Sequence, residues 1–211
     1  MRIFSNTSRR NNIHSALLLS CALVVSGESA SAAEIEINVP TGTATFNGNL
    51  VGVTDYTKIG TGIALLGGTN TYTGDTTVSA GTLELAAATA HSGVTGNFNI
   101  AAASTLKSDA DMTTAKTITI TGAIGTVDAT GFALTLNGAV ADGGFATVLK
   151  GTSVTFGAGN IWSGASLKIA TTTLTIPAAN NIASAVLLVN DGTTVVLTGG
   201  VTYAPTSLGI Y

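Results

Sequence analysis

The chain is poor in charge. Only 9% of its 211 residues are Asp, Glu, Lys or Arg, about a third of the ~25% usual in a globular domain. Disorder is not the consequence, because a disordered chain combines high charge with low hydrophobicity and this one is 45% hydrophobic. Cysteine occurs once, at Cys21, so no disulfide within the chain can support the fold. Histidine occurs at His14 and His91 alone, far apart and without cysteines to complete a zinc set. Prolines are confined to Pro40, Pro177 and Pro205. The longest apolar run, Ala16 to Val25, is too short for a membrane helix of ~20 residues. No segment carries the Ala, Leu, Glu and Lys filler of a surface helix. No G-x-S-x-G nucleophile elbow is present.

What remains is Thr, Val, Ala and 26 glycines. Branching at Cβ packs well on a pleated sheet, and glycine supplies corners with positive φ. The expected class is all-β.

The first 33 residues have the three-part layout of a secretory signal peptide. Arg2, Arg9 and Arg10 precede the apolar run, and Ser29-Ala30-Ser31-Ala32-Ala33 follows it, placing cleavage after Ala32 or Ala33. Leu18-Leu19-Ser20-Cys21 resembles a lipoprotein box only weakly, since apolar residues continue beyond the cysteine. Removal of the leader leaves five basic and ten acidic residues, a net charge of −5. Such a chain does not attract phosphate backbones, so nucleic acid is not an expected partner.

Residues 34–56 read as N-terminal cap strands. Ile35-Glu36-Ile37-Asn38-Val39 alternates with period two, the mark of a half-buried strand, and Pro40 ends it. From residue 57 to 211 short apolar-threonine strands recur between glycine corners. The clearest unit is Lys58 to Leu85, with corners at Gly60, Gly62, Gly67, Gly74 and Gly81 and alternating pairs Ile63/Leu65 and Leu83/Leu85 expected to point inward. Phe98 to Ile100, Thr105-Leu106 and Thr117 to Thr121 resume the pattern, and Ala86 to Ala90 reads as a short helical link. Lys150 to Ile176 reads as a degenerate second copy, in which Asn160, Trp162 and Gly164 answer to Asn70, Tyr72 and Gly74 and Val154/Phe156 to Ile63/Leu65. Asn190-Asp191-Gly192 is a turn between either a hairpin or two faces of one more coil. At ~20–25 residues per coil the chain makes about seven to nine coils.

The unit Lys58-x-Gly60-x-Gly62 … Asn70-Thr71-Tyr72-x-Gly74 … Gly81-Thr82-Leu83-x-Leu85 closely resembles the autotransporter-associated β-strand repeat of bacterial surface passengers. Ile120 to Gly138 resembles a companion passenger segment, with Ala123 inserted. The resemblance implies a right-handed parallel β-helix, exported to the surface of a Gram-negative bacterium or secreted. It implies a structural, adhesin-like role toward an extracellular or host-surface ligand. The matched positions, Lys58, Gly60, Gly62, Asn70, Tyr72, Gly74, Gly81, Leu83, Leu85, Asn160, Trp162 and Gly164, are scaffold positions. No catalytic residue, cofactor or metal follows from them. Such passengers usually carry a C-terminal outer-membrane barrel; this chain reaches Tyr211 without one, so a translocator acting in trans, or missing from the chain, is expected.

Rival readings rest on particular residues. A polysaccharide-acting β-helix enzyme would need carboxylates such as Asp75, Glu84, Asp128 and Asp191 to converge in a groove. Asp109 and Asp111, two apart, would face one side of a strand but read better as a solvated turn. Tyr72 and Trp162 could form a sugar-binding aromatic strip, or pack over the corners of their own coils. A non-functional remnant of a longer passenger, or a fibre component self-associating through open solenoid ends, completes the set.

Overall fold

The computed structural model describes residues 11–14, 34–87, 90, 96–157, 161–162, 166–177, 181–182, 186–198, 202–203 and 207–210. In chain order the strands are β1 (Asn11–His14), β2 (Glu34–Asn38), β3 (Thr43–Phe46), β4 (Asp55–Ile59), β5 (Ile63–Leu66), β6 (Thr76–Val78), β7 (Thr82–Leu85), β8 (Phe98–Ile100), β9 (Thr105–Ser108), β10 (Met112–Thr114) and β11 (Ile118–Ile120). They continue as β12 (Gly125–Leu136), β13 (Val140–Ala141), β14 (Thr147–Phe156), β15 (Ile161–Trp162), β16 (Leu167–Ala170), β17 (Thr173–Ile176), β18 (Asn181–Ile182), β19 (Val186–Val189), β20 (Thr194–Leu197), β21 (Thr202–Tyr203) and β22 (Ser207–Ile210).

The strands wind into a parallel β-solenoid. Among the described residues the first wall has ten strands in the order β1-β2-β4-β6-β8-β11-β13-β15-β18-β21, and the second runs β3-β5-β7-β9-β12-β14-β16-β19-β22. Every pairing is parallel; Tyr56 pairs with Thr76, Thr76 with Phe98 and Phe98 with Ile118, so the chain returns to a wall after 20 or 22 residues at these steps, in keeping with the expected seven to nine coils. A third wall forms where β10, the C-terminal halves of β12 and β14, β17 and β20 stack. The long strands β12 and β14 bend around a corner to serve both walls.

Period-two alternation decides what fills the bore. In the second wall Ala64, Leu83, Leu106, Val127, Leu149 and Ile169 stack inward, one per coil. Val78, Ile100 and Ile120 do the same from the first wall. Like side chains at ~4.8 Å spacing make continuous apolar columns. At about 25 cal/mol per Å² of apolar area withdrawn from water, such columns are the main favourable term.

Several expectations need correction. Lys58 to Leu85 is more than one coil, because Lys58 pairs with Val78 and Ile63 with Thr82. Leu83 and Leu85 point inward as expected, but Ile63 and Leu65 face outward, and Ala64 and Leu66 take the interior. The corner at Gly60 to Gly62 sets the phase, and a shift of one residue exchanges the faces. Lys150 does not answer to Lys58, since Lys150 lies on the outer surface of β14 while Lys58 is buried in the first wall. Asp109 and Asp111 lie in the turn between β9 and β10, as the preferred reading of the pair has it. Of the two readings of Asn190 to Gly192, two faces of one more coil is the one formed: β19 pairs with β16 and β22, and β20 pairs with β17. Ala123, the inserted residue, is absorbed in a corner where Ile124 adopts φ 60° and stands exposed.

Asn11–His14, within the expected leader, lie parallel on β2. The rest of the leader with Cys21, and His91, Asn160, Gly164 and Tyr211, lie outside the described residues. Of the expected Ala86–Ala90 link, Ala90 donates its N–H to Ala87 O.

Candidate functional site

The motif residues build a buried polar seam. Lys58 follows the inward phase of Tyr56 on β4 and is 1% exposed. Its ammonium donates to Ile59 O at 2.8 Å, Gly60 O at 2.7 Å and Ala80 O at 3.0 Å, so all three N–H bonds are used and two successive coils are joined. Burial pushes its pKa down. The cage needs a tight corner. A Cβ on Gly62 would come within 2.7 Å of Gly42 O, and one on Gly81 (φ +67°) within 2.5 Å of Gly62 O.

Asn70 is fully buried and ties three coils together. Its Oδ1 accepts Leu50 N at 2.9 Å, and its Nδ2 donates to Ala90 O at 2.7 Å. Nearby, Asp55 Oδ1 accepts Asp75 N, Asp75 Oδ1 accepts Asn97 N, and Asn97 Oδ1 accepts Thr117 N. Each acceptor bonds the amide one coil further on, so backbone groups at the corner are satisfied without a wider strand.

Tyr72 and Trp162 do not form an exposed strip. Both are at most 1% exposed. Tyr72 packs its ring on Tyr56 at 4.5 Å, and its hydroxyl shares a 2.5 Å hydrogen bond with Thr76 Oγ1. Trp162 packs on Phe156 at 5.1 Å. The two are not equivalent positions either. Thr119 pairs with Ala141 and Ala141 with Ile161, so Trp162 stands in register two coils beyond Ile120, with the buried Asp142 between them. Burial, opposed by the Thr76 bond and reinforced by Tyr56, raises the Tyr72 phenol from 10.0 to about 12. A group whose folded pKa is raised adds stability that is complete below its unfolded value and is lost as pH rises through the folded value. Wild-type stability should therefore fall between pH 10 and 12, and Tyr72→Phe should flatten that part of a denaturation-versus-pH curve. Equal slopes in the two proteins would refute the assignment.

The outer face of the second wall carries a charge column absent from the sequence reading. Glu84, Lys107, Asp128 and Lys150 are direct partners on β7, β9, β12 and β14. Signs alternate, so in-register stacking brings opposite rather than like charges together. Lys107 Nζ lies 3.1 Å from Glu84 Oε1 and 2.9 Å from Asp109 Oδ1, and Lys150 Nζ lies 3.0 Å from Asp128 Oδ2. Burial and the Asp109 carboxylate raise the Glu84 pKa, while the bonds from Glu84 and Lys107 hold Asp109 low. Burial works to raise Asp128, but bonds from Thr130 and Lys150 outweigh it and leave it lowered. Of the four carboxylates considered for convergence, Glu84 and Asp128 share this column; Asp75 stands in the corner ladder and Asp191 on the turn after β19.

This column leads into a trough of about 330 Å³ lined by Thr130, Gly131, Lys150, Gly151, Thr152, Ala170, Thr171, Thr172 and Asn190. It follows the corner between second and third walls. Unequal corner lengths create it. Ala129 pairs with Gly151 and Ala133 with Ser153, so Thr130, Gly131 and Phe132 bulge where β14 spends Thr152 alone. At the far end Asn190, Asp191, Gly192 and Thr193 intervene before β20, with Gly192 at φ +76°. The floor between these lips is Gly151 and Ala170.

Among the described residues no group of three or more His, Cys, Asp or Glu side chains could hold a metal ion, and no helix is long and apolar enough to cross a membrane. A family model for the passenger-associated-transport-repeat matches residues 57–85. No curated protein and no solved structure matches the chain. The matched repeat, set in a parallel β-solenoid, fits an autotransporter passenger built of repeats, an exported class of Gram-negative proteins.

Proposed function

We propose that the chain is a surface-structural, adhesin-like passenger that makes extracellular contacts through the hydroxyl-rich outer faces of its solenoid, and that an outer-membrane translocator supplied in trans or beyond this sequence delivers it. One observation supports the reading above others. The outer column of the first wall runs Glu36, Thr57, Thr77, Asn99, Thr119, one per coil, with a single charge at its first position. Stacked at ~4.8 Å, they form a flat polar strip suited to many weak hydrogen bonds rather than to chemistry. An enzymatic role is less favoured, because the carboxylates that gather at Glu84, Asp109 and Asp128 are tied to lysines. Immobilised full-length chain should retain epithelial cells or extracellular-matrix proteins, and Thr57→Lys with Thr77→Lys and Thr119→Lys should abolish retention while preserving the β circular dichroism. Retention equal to that of an albumin-coated surface would defeat the proposal.

A further inference from the structure

We infer that the outer face of the third wall is an ice-binding surface, one that seats the ordered water of a growing crystal. Such a surface acts beyond the passenger role proposed above and needs only that the solenoid be exposed to water.

Period-two alternation builds the face. Met112, Leu134, Val154 and Leu174 are in register on β10, β12, β14 and β17, and all four are buried, so the residues on either side of each point outward. One outer rank is Thr113, Thr135, Thr155 and Thr175, direct partners from coil to coil. Val196, the apolar isostere of threonine, follows Thr175 on β20. The second rank, two residues earlier on each strand, is Ala133, Ser153, Thr173 and Thr194. Neither rank holds a charge or a long side chain. Asp111 stands at the rim, one coil before Ala133, with its Oδ1 turned to the Ala133 N–H at 2.9 Å.

Strand geometry sets the spacing of this array. Neighbours within a rank are ~4.8 Å apart, and two residues of a parallel strand separate the ranks by ~6.6 Å. Both repeats lie within roughly a tenth of the oxygen repeats along the a and c axes of hexagonal ice. Several side chains therefore meet the lattice at once.

The hydroxyls of the face are also unspent. Among the described residues, no hydrogen bond ties the side chains of Thr113, Thr135, Ser153, Thr155, Thr173 or Thr175 to the protein. At the neighbouring corner the opposite holds: Thr171 and Thr172 donate their hydroxyls to Thr152 O, and Thr193 donates to Thr171 O. Each free threonine offers water one donor and two lone pairs. Its χ1 is stiff, and β12, β14 and β17 are each bonded to a coil on both sides. The array is thus preorganised, and ordering water on it costs little freedom of the protein. The methyl groups between the hydroxyls restrict first-shell water without bonding it.

The other two walls lack such an array. In the first, Glu34 and Asp55 pair in the rank beside Glu36 and Thr57. In the second, Glu84, Lys107, Asp128 and Lys150 put a charge on each of four coils.

The test cools a single ice crystal in a solution of the purified full chain. A faceted crystal is expected, freezing below its melting point by a gap that grows with protein concentration. Thr155→Lys and, separately, Thr135→Lys set an ammonium in the middle of the face. Each should abolish the gap, with unchanged β circular dichroism as the check on folding. Thr126→Lys, on the second wall, should leave the gap intact. A rounded crystal without a gap in the wild-type protein would overturn the inference. So would a gap undiminished in both third-wall variants. So would retention on crystalline cellulose or chitin, without a gap, that those variants abolish, since the face would then seat a polysaccharide lattice. No cells are involved, so such a failure is separable from a failure of cell retention.

Discussion

Gly74→Ala is expected to destabilise the solenoid by at least about 3 kcal/mol, beyond the upper end of ordinary overpacking. A Cβ at Gly74 would run into the Thr54 carbonyl of the preceding coil. The obstacle is backbone, so no side chain can swing aside. On the other face a Cβ at Gly96 would meet the Gly74 carbonyl, so three successive coils are in close backbone approach here. Opening the gap would also weaken the Asp55 Oδ1 bond to Asp75 N, 2.8 Å long. A matched control is Gly192→Ala. Gly192 has φ +76°, but nothing lies within 4 Å of an added Cβ, so only the left-handed strain of about 1 kcal/mol applies. Each kcal/mol shifts Tm by about 2–4 °C at this chain length, so the two variants should separate clearly in a thermal melt. In a solenoid each repeat touches only its neighbours, so faster amide exchange in Gly74→Ala should concentrate around Thr54 and Gly74. Equal Tm values for the two variants would show that the coils do not approach as closely as described.

Lys58→Met should cost about 2–4 kcal/mol. Methionine fills the space of the lysine stem and removes a desolvated charge, which by itself favours the variant. The three acceptors, however, are backbone carbonyls and stay behind. A buried polar group left unsatisfied costs about 1–3 kcal/mol, and Ile59 O keeps some compensation because it also accepts Val39 N at 3.1 Å. The unmet carbonyls at Gly60 and Ala80 should therefore win. Chemical denaturation of wild type and variant measures the difference, and a Lys58→Met protein as stable as wild type would mean that the cage contributes nothing.

Much of this architecture is legible from residue order. Alternation in Ile35–Val39 and Thr82–Leu85, with glycine at each corner, implies stacked short strands. Leu83 and Leu85 are placed correctly on that basis. Ile63 and Leu65 are not, because alternation gives the period and not the phase, and Ala64 is too small to announce itself as an interior residue. Lys58 is hidden for a different reason. A lysine reads as solvent-facing, and the carbonyl cage that makes its burial tolerable exists only once the next coil is laid down. The charge column could have been found. Glu84, Lys107, Asp128 and Lys150 recur at the coil spacing with alternating sign, a signal that appears only when the sequence is folded on its own period. The trough lies beyond such reasoning, since it arises from a three-residue bulge at Thr130–Phe132 facing a one-residue corner at Thr152, and corner lengths are visible only after the register is known.

Parallel winding itself is tested most directly by cysteine cross-linking on the outer column of the first wall, in a Cys21→Ser background. Thr57 and Thr77 are direct partners, as are Thr77 and Asn99, at ~4.8 Å and so within the ~4.4–6.8 Å that a disulfide spans between Cα atoms. Thr57→Cys/Thr77→Cys and Thr77→Cys/Asn99→Cys should each oxidise to an intramolecular disulfide, and Thr57→Cys/Asn99→Cys, two coils apart, should not. Failure of both neighbouring pairs, or ready closure of the distant one, would contradict a solenoid and require a different pairing of the strands.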